Sequence, residues 1–399
     1  MYYGVKRSNC ILFISPQFCF CTFVDASNSK AFDRVNFCKL FRLLIKRGLP
    51  ACIVRTLINM YTGHLIRVSW AGVMSNYFTA LNGVKQGGVV SPILFCIYID
   101  DLLLSLGRSG VGCYIGLNFV GAIAYADDIV LISPTPFGMR RLLSICDDYA
   151  LQYDIIFNAS KSKFLVVVAS KWRYLSNILN KCVFLIGGKP IEKVLSYPHL
   201  GHLVCSSFDE REDVRNRRNK FIGQVNNFLC YFNKLDLVVK IKLFCSYCSS
   251  IYGCELWPLD SCFIEEFCST WRSALRRLLG LPYKAHSFLL PILTCTLPIF
   301  DEICMRSSRF VSACLSSRSP LVRFVSLHGV MYGRFNSILG KNVLFCCKRY
   351  NWFFDDFAQG LVDLKSDNFR NFCTSKFECG QLNDAFSLLE LLMLREGYM

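Results

Sequence analysis

Long apolar runs are missing from this chain. No uninterrupted stretch reaches the roughly 20 residues needed to cross a bilayer. Residues 11–24 are apolar behind Lys6 and Arg7, but Ser15, Pro16 and Gln17 break the run, so a secretory leader is set aside. Acids are scarce: 29 Asp and Glu face 45 Lys and Arg, a net charge of +16. That excess favours a polyanionic partner, whose condensed counterions Lys and Arg displace, over charge kept only for solubility. Internal repeats and low-complexity linkers are absent, which excludes repeat arrays. The 23 cysteines lack a second Cys or His pair at zinc-knuckle spacing, so Cys245-x-x-Cys248 and Cys346-Cys347 read as core packing. Without a leader they are expected to stay thiols in an intracellular compartment, nucleus or cytoplasm.

What is present is a pattern of acids at the ends of apolar segments. Tyr125-Ala126-Asp127-Asp128 lies between Phe119–Ala124 and Ile129–Ile132. Two short apolar runs joined by adjacent carboxylates read as a buried β-hairpin with acids at its tip. Asp is common in turns, so a solvated turn explains this string alone equally well. A second run, Phe18–Val24, ends at Asp25. Adjacent strands of one sheet would bring Asp25 to Asp127 and Asp128, and three gathered carboxylates suit hard divalent cations. Two such ions clamp the attacking and leaving oxygens of a phosphoryl transfer.

Between these segments lies Asn82-Gly83-Val84-Lys85-Gln86-Gly87-Gly88, followed by Ser91-Pro92 and an apolar stretch. This reads as a flexible loop feeding a helix, with Ser91 as N-cap and Pro92 in the first turn. Glycines there would let a sugar, base or backbone come close.

Taken in order, the segments resemble the palm of a reverse transcriptase of the non-LTR retrotransposon (LINE-like) type. Val24-Asp25-Ala26-Ser27 with Lys30-Ala31-Phe32-Asp33 resembles the first aspartate motif of that family. Gly83–Gly87 through Ser91-Pro92 resembles its template and nucleotide loop, and Tyr125–Asp128 its paired-aspartate hairpin. Phe157-Asn158-Ala159-Ser160-Lys161 is similar to its Asn-x-x-Lys motif, and Leu200-Gly201-His202 to its primer-grip turn. Tyr252-Gly253, Leu256-Trp257 and the segment from Trp271 to Pro282 resemble the thumb region.

The resemblance implies an RNA-directed DNA polymerase that adds deoxynucleotide triphosphates to a DNA primer on an RNA template. Asp25, Asp127 and Asp128 would hold two Mg²⁺ ions, or Mn²⁺ in their place. Lys161 would face the leaving phosphates. Phe32 would lie under the incoming sugar and Gln86 against the nascent base pair, with Gly83, Gly87 and Tyr125 in the same substrate-binding set. Arg215 and Arg218, and the aromatic-plus-basic face of Trp271, Arg272 and Arg276, are candidates for gripping nucleic acid. An exposed, self-paired helix face explains the first pair as well, and an ordinary amphipathic helix with Leu275, Leu278 and Leu279 in the core explains the second face.

The sequence departs from the family pattern at two places. Asn28-Ser29 stands as an insertion between Asp25 and Lys30, and only 24 residues precede Asp25, so the chain reads as short of fingers and of an endonuclease. The alternative is therefore a degenerate remnant that binds RNA or RNA/DNA hybrid without turnover. A metal-dependent nuclease ranks below both, since it needs neither the Gln86 loop nor Lys161.

The expected class is α+β: an antiparallel palm over 1–204, a helical thumb-like region over 205–290 and a helical C-terminal region over 291–399. Helices are expected around Leu40–Leu44, over Ile53–Tyr61, Pro92–Leu104 and Gly138–Tyr153. Hairpins are expected over Ile66–Leu81, turning at Ala71-Gly72, and over Val183–Val194, turning at Gly187-Gly188. Asp100-Asp101 and Asp147-Asp148 are read as helix-face residues, the latter facing solvent.

Overall fold

A computed structural model describes residues 20–27, 32–168, 182–207, 209–249, 251–332 and 335–374. These fall into two compact units, one of residues 20–197 and 205–207, the other of residues 198–204 and those from 209 onward. The class is α+β, as expected.

The first unit is built on a five-stranded sheet of β1 (Phe20–Ser27), β2 (Ala122–Tyr125), β3 (Asp128–Ser133), β4 (Lys163–Val168) and β5 (Glu192–Lys193). The order is β5-β4-β1-β3-β2, antiparallel except for the short β4–β5 pair. In β3, Ile129, Val130, Leu131 and Ile132 are all buried, as an unbroken apolar run of strand length requires. Strand β1 runs two residues beyond Asp25, so that acid lies inside the ladder rather than at its end.

Helices α1 (Phe37–Lys46), α2 (Ala51–Tyr61), α3 (Ser91–Gly107) and α4 (Pro136–Tyr153) close one core with the sheet. Leu40, Leu44, Leu94, Phe95, Leu131 and Phe164 meet in it. Helix starts follow local chemistry: Asn36 Oδ1 accepts from the Lys39 N–H (3.2 Å) and Thr135 Oγ1 from the Gly138 N–H (3.0 Å). Ser91 is a correction. It is the first residue of α3 rather than its cap, and its hydroxyl donates to the Lys85 carbonyl (2.6 Å). That bond turns the side chain towards the glycine loop.

The hairpin turning at Ala71-Gly72 forms: Leu65-Ile66 pairs with Phe78-Thr79 and Ser69-Trp70 with Val73-Met74. Ala71 (φ +47°) and Gly72 (φ +83°) both adopt the left-handed region that a two-residue turn of this kind demands. At the far end only Leu185-Ile186 pairs with Lys189-Pro190; Glu192-Lys193 leave that hairpin to join β4 in parallel. Asp147 does not simply face water, because its Oδ1 accepts from the Gly187 N–H at 2.8 Å and holds that turn.

The second unit contains α5 (Arg211–Phe232), α6 (Leu237–Tyr247), α7 (Cys262–Leu279), α8 (Ile299–Leu315) and α9 (Ile338–Tyr350), with further helices between and after them. One aromatic-rich core holds Phe221, Phe244, Trp257, Phe267 and Trp271 together with Cys304, Cys346 and Phe369. Cys248 is buried in that core and Cys245 packs on it. Burial pushes both thiols up, Cys248 to about 11, which disfavours the thiolates a zinc ion would need. Among the described residues no helix is long and apolar enough to cross a membrane.

Candidate active site

The tip of the β2–β3 hairpin is a two-residue turn. Tyr125 and Asp128 form the closing pair, with Ala126 and Asp127 between them. Ala126 has φ +53°, a left-handed conformation that costs an alanine roughly 1–2 kcal/mol. Strain of this sort persists only where the surroundings over-determine it. Here the buried run Ile129–Ile132 anchors one arm, so the backbone of the turn is held to the sheet.

Register then locates Asp25. In the β1–β3 ladder Ser27 lies opposite Asp128 and Asp25 opposite Val130. Directly opposed residues share a face, and so do residues two apart on one strand. Positions 25 and 128 therefore lie on the same face as diagonal neighbours, a spacing of about 7–8 Å in such ladders. On the other side of β1, Asp25 is opposite Lys163. Asn28 and Ser29 lie outside the described residues, as do Lys30 and Ala31. Among the described residues no three His, Cys, Asp or Glu gather as a metal-holding group. The Asp127–Asp128 pair needs the acid at position 25 to become a three-carboxylate set.

The glycine loop docks on the segment that follows β1. The Val84 N–H donates to the Phe32 carbonyl (2.7 Å) and the Gly83 N–H to the Val35 carbonyl (2.9 Å). Gln86 Nε2 donates to Asp33 Oδ1 at 3.1 Å. The Phe32 ring packs on Phe95 of α3, centroids 5.0 Å apart. Tyr61 Oη lies 3.3 Å from Ser91 Oγ, which holds the Lys85 carbonyl. Phe32, Asp33, Gln86 and Ser91 are thus parts of one hydrogen-bonded assembly. Asp33 is the member that sequence reasoning gave no role; its place directly after Phe32 was the only available signal.

Gly83 is required by this docking. Its φ is +93°, and a Cβ there would stand 2.9 Å from both Cα and the carbonyl oxygen of Asp33, atoms that cannot rotate away. Gly83→Ala is expected to destabilise the first unit by about 2–3 kcal/mol, combining left-handed strain with a backbone clash. Chemical denaturation measures this, and a loss below about 0.5 kcal/mol, the scatter of neutral surface changes, would contradict it. Gly87 (φ +78°) has open space around it and is demanded only by its conformation.

Lys161 is exposed and follows a side-chain turn: Asn158 Oδ1 accepts from the Ser160 N–H (3.1 Å) and Ser160 Oγ (2.7 Å). That turn delivers the chain into β4, two residues before Lys163, the register partner of Asp25. Lys163 itself is engaged with Glu192 (2.5 Å). Asp100 and Asp101 are both paired with Arg47, and Asp101 also with Lys46 (3.3 Å), so they are neutralised face residues.

The basic candidates in the second unit divide. Arg215 is exposed. Arg218 donates to Thr270 Oγ1 (2.9 Å), Arg272 pairs with Glu265, and Arg276 donates to the Ala285 carbonyl (3.0 Å) and Ser287 Oγ (2.8 Å). Trp271 is a correction. It is buried, stacked on Phe221 at 4.8 Å and 13°, and its ring is not available to a base. It lies on the apolar stripe of α7 with Phe267, Leu275 and Leu278, so the amphipathic-helix explanation wins.

Residues 4–194 match the family described as reverse transcriptase (RNA-dependent DNA polymerase). The Pol polyprotein of the type-2 retrotransposable element R2DM of Drosophila melanogaster is 32% identical over 171 residues, covering 43% of this chain and 16% of that one. A probable RNA-directed DNA polymerase from the X-element transposon of Drosophila melanogaster is 24% identical over 313 residues, 74% of this chain and 32% of that one. The RNA-directed DNA polymerase of the mobile element jockey of Drosophila funebris is 23% identical over 225 residues, 54% and 23% of the two chains. This chain spans 16% to 32% of the length of these three relatives. Among solved structures, telomerase from Candida tropicalis aligns with a TM-score of 0.38 and 11% identity, over 77% of this chain and 49% of that one. The ordered aspartate, glycine-loop and hairpin motifs lie inside the matched region, and residues 4–194 are similar to the reverse transcriptases of non-LTR retrotransposons.

Proposed function

We propose that this chain extends a DNA primer on an RNA template, with Asp25, Asp127 and Asp128 holding a pair of divalent cations, Mg²⁺ or Mn²⁺. The observation that carries this reading is the β1–β3 register, which sets positions 25 and 128 on one face beside the Asp127 turn. An oxygen-only donor set at that spacing suits a hard cation. Bound there, the ions would activate the primer 3′-oxygen and balance the charge of the departing pyrophosphate.

The remaining roles belong to this chain's own residues. The bond formed joins the primer 3′-oxygen to the α-phosphorus; the bond broken is the α–β anhydride; the hydroxyl proton passes to water. Phe32, braced by Phe95, is the wall for the sugar. Gln86, tethered to Asp33, meets the nascent pair, and Gly83, Gly87 and Tyr125 complete the substrate-binding set. Lys161 offers an ammonium to the leaving phosphates. Arg215, together with the outward parts of Arg218, Arg272 and Arg276, tracks phosphate, consistent with the net charge of +16. An A-form hybrid would be held through shape and backbone.

The test is primer extension by the purified chain with labelled primer, RNA template and deoxynucleotide triphosphates, with Mg²⁺ and then with chelator. Chelator-sensitive, template-dependent extension is expected. Salt-dependent hybrid binding without extension would replace this reading with that of a binding remnant. Cleavage of labelled duplex without added nucleotides would replace it with a nuclease.

A further inference from the structure

Read across the sheet of the first unit, one row of positions alternates in charge. Glu192 on β5 opposes Lys163 on β4, Lys163 opposes Asp25 on β1, and Asp25 opposes Val130 on β3. Opposed positions share a face of the sheet. Lys163 is therefore a cation between two acids, and the position after Asp25 is a buried valine. One of the acids belongs to the donor set proposed above for divalent cations. The other, Glu192, stands on the far side of β4 from it.

The ammonium takes the acid outside the donor set. Lys163 Nζ lies 2.5 Å from Glu192 Oε2 and donates to the Ser160 carbonyl at 2.9 Å. Two acceptors thus hold it, one on β5 and one in the turn that precedes β4. Glu192 draws the charge toward the edge of the sheet and away from β1.

The other choice is within reach. Opposed residues of an antiparallel ladder stand about 4.5–5.5 Å apart between Cα atoms, less than the length of an extended lysine. An ammonium released from Glu192 meets position 25 across that gap. There it would hinder a divalent cation in two ways, by pairing with a carboxylate the cation needs and by repelling the cation itself. The Lys163–Glu192 pair adds little to stability, because the Glu192 side chain is 66% exposed. Its larger consequence is where it keeps a positive charge.

We propose that Glu192 is a positioning residue for the metal site: it holds the Lys163 ammonium on the β5 side and so leaves position 25 to a divalent cation. This rests on the polymerase reading above and its donor set of Asp25, Asp127 and Asp128. Lys161, the cation assigned there to the leaving phosphates, precedes β4 and is not part of this row.

The experiment titrates Mn²⁺, without nucleotide or hybrid, into the wild type, Glu192→Ala, Lys163→Gln, the double variant and Asp127→Ala, at an ionic strength of about 0.15 M. Electron paramagnetic resonance counts the free ion, and a melting curve of each metal-free protein checks the fold. Glu192→Ala is expected to weaken Mn²⁺ binding by about tenfold, the repulsion of a single and a double charge about 6 Å apart at the dielectric of water. Lys163→Gln removes the competing charge and is expected to bind as tightly as the wild type or up to about threefold tighter. In that background Glu192→Ala should cost less than about twofold, so the double variant recovers wild-type affinity. Two strand spacings, about 9.5 Å, separate β5 from β1, and at this salt charges more than about 8 Å apart are largely screened. A tenfold loss in both backgrounds would show that Glu192 acts through its own charge and would overturn the proposal. Unchanged Mn²⁺ binding in Glu192→Ala would overturn it too, whatever the melting temperature. Either result leaves the donor set standing as long as Asp127→Ala abolishes the wild-type site. Wild type that binds Mn²⁺ no better than Asp127→Ala would overturn the metal reading and this proposal together.

Discussion

Asp127→Ala is expected to reduce primer extension by at least about 10³-fold while leaving the fold intact. The side chain belongs to the two-residue turn, not to the buried run that anchors it, so the substitution removes no core contact. Two adjacent carboxylates at one tip carry like charge, and a divalent cation held there would offset it. Without divalent ions the variant should melt at the same temperature as the wild type or slightly higher. With them, the wild type should gain stability as a ligand-bound protein does and the variant should not. Melting curves with and without Mg²⁺, run beside the extension assay, separate these effects. A variant that keeps both the activity and the Mg²⁺-dependent rise would remove Asp127 from the metal set. Asp100→Ala is the informative contrast. It belongs to another Asp-Asp pair, but Arg47 neutralises that pair, so its loss should lower stability modestly and leave the Mg²⁺ response unchanged.

That contrast also marks what sequence can and cannot say. Asp100-Asp101, Asp127-Asp128 and Asp147-Asp148 are the same dipeptide. Flanking periodicity separates a hairpin tip from a helix face, and it did so for all three. It does not reveal Arg47 above the first pair or the Gly187 amide beside Asp147, because those partners come from distant segments. The same limit explains Ser91 and Trp271. A Ser-Pro at a helix start fits an N-cap, but the Lys85 carbonyl was close enough to claim the hydroxyl as a donor. Alternating aromatic and basic residues fit a stacking platform and an amphipathic helix equally, and only the Phe221 ring on Trp271 decides between them. The surroundings of His202, which lies beside Glu210 and Asp213, were least legible. The residues concerned occur at 202, 210, 213, 217, 252 and 257, and no periodicity links them.

The second large effect concerns stability. Asp301→Ala is expected to cost about 3–5 kcal/mol, because it breaks a buried ion pair from the acid's side. Asp301 opens α8 and is 4% exposed. Its Oδ1 accepts from Arg349 through two nitrogens (3.0 and 2.8 Å) and from Tyr350 Oη (2.7 Å), both on α9. Burial disfavours the Arg349 cation, but the Asp301 charge outweighs it and raises its pKa. With the acid gone, the guanidinium is left against the Phe300 ring (5.0 Å) with no compensating charge. Against a total stability of about 5–15 kcal/mol this loss is large, and it should appear as a lower denaturant midpoint with little change in slope. Removing both charges is expected to cost less than removing one: Asp301→Leu with Arg349→Met should recover much of the loss, although the Tyr350 hydroxyl still lacks its acceptor. Equal destabilisation by the single and double variants would show that packing, rather than a stranded cation, sets the cost. A single-variant loss under about 1 kcal/mol, the value of an exposed pair, would show that Arg349 turns out into water.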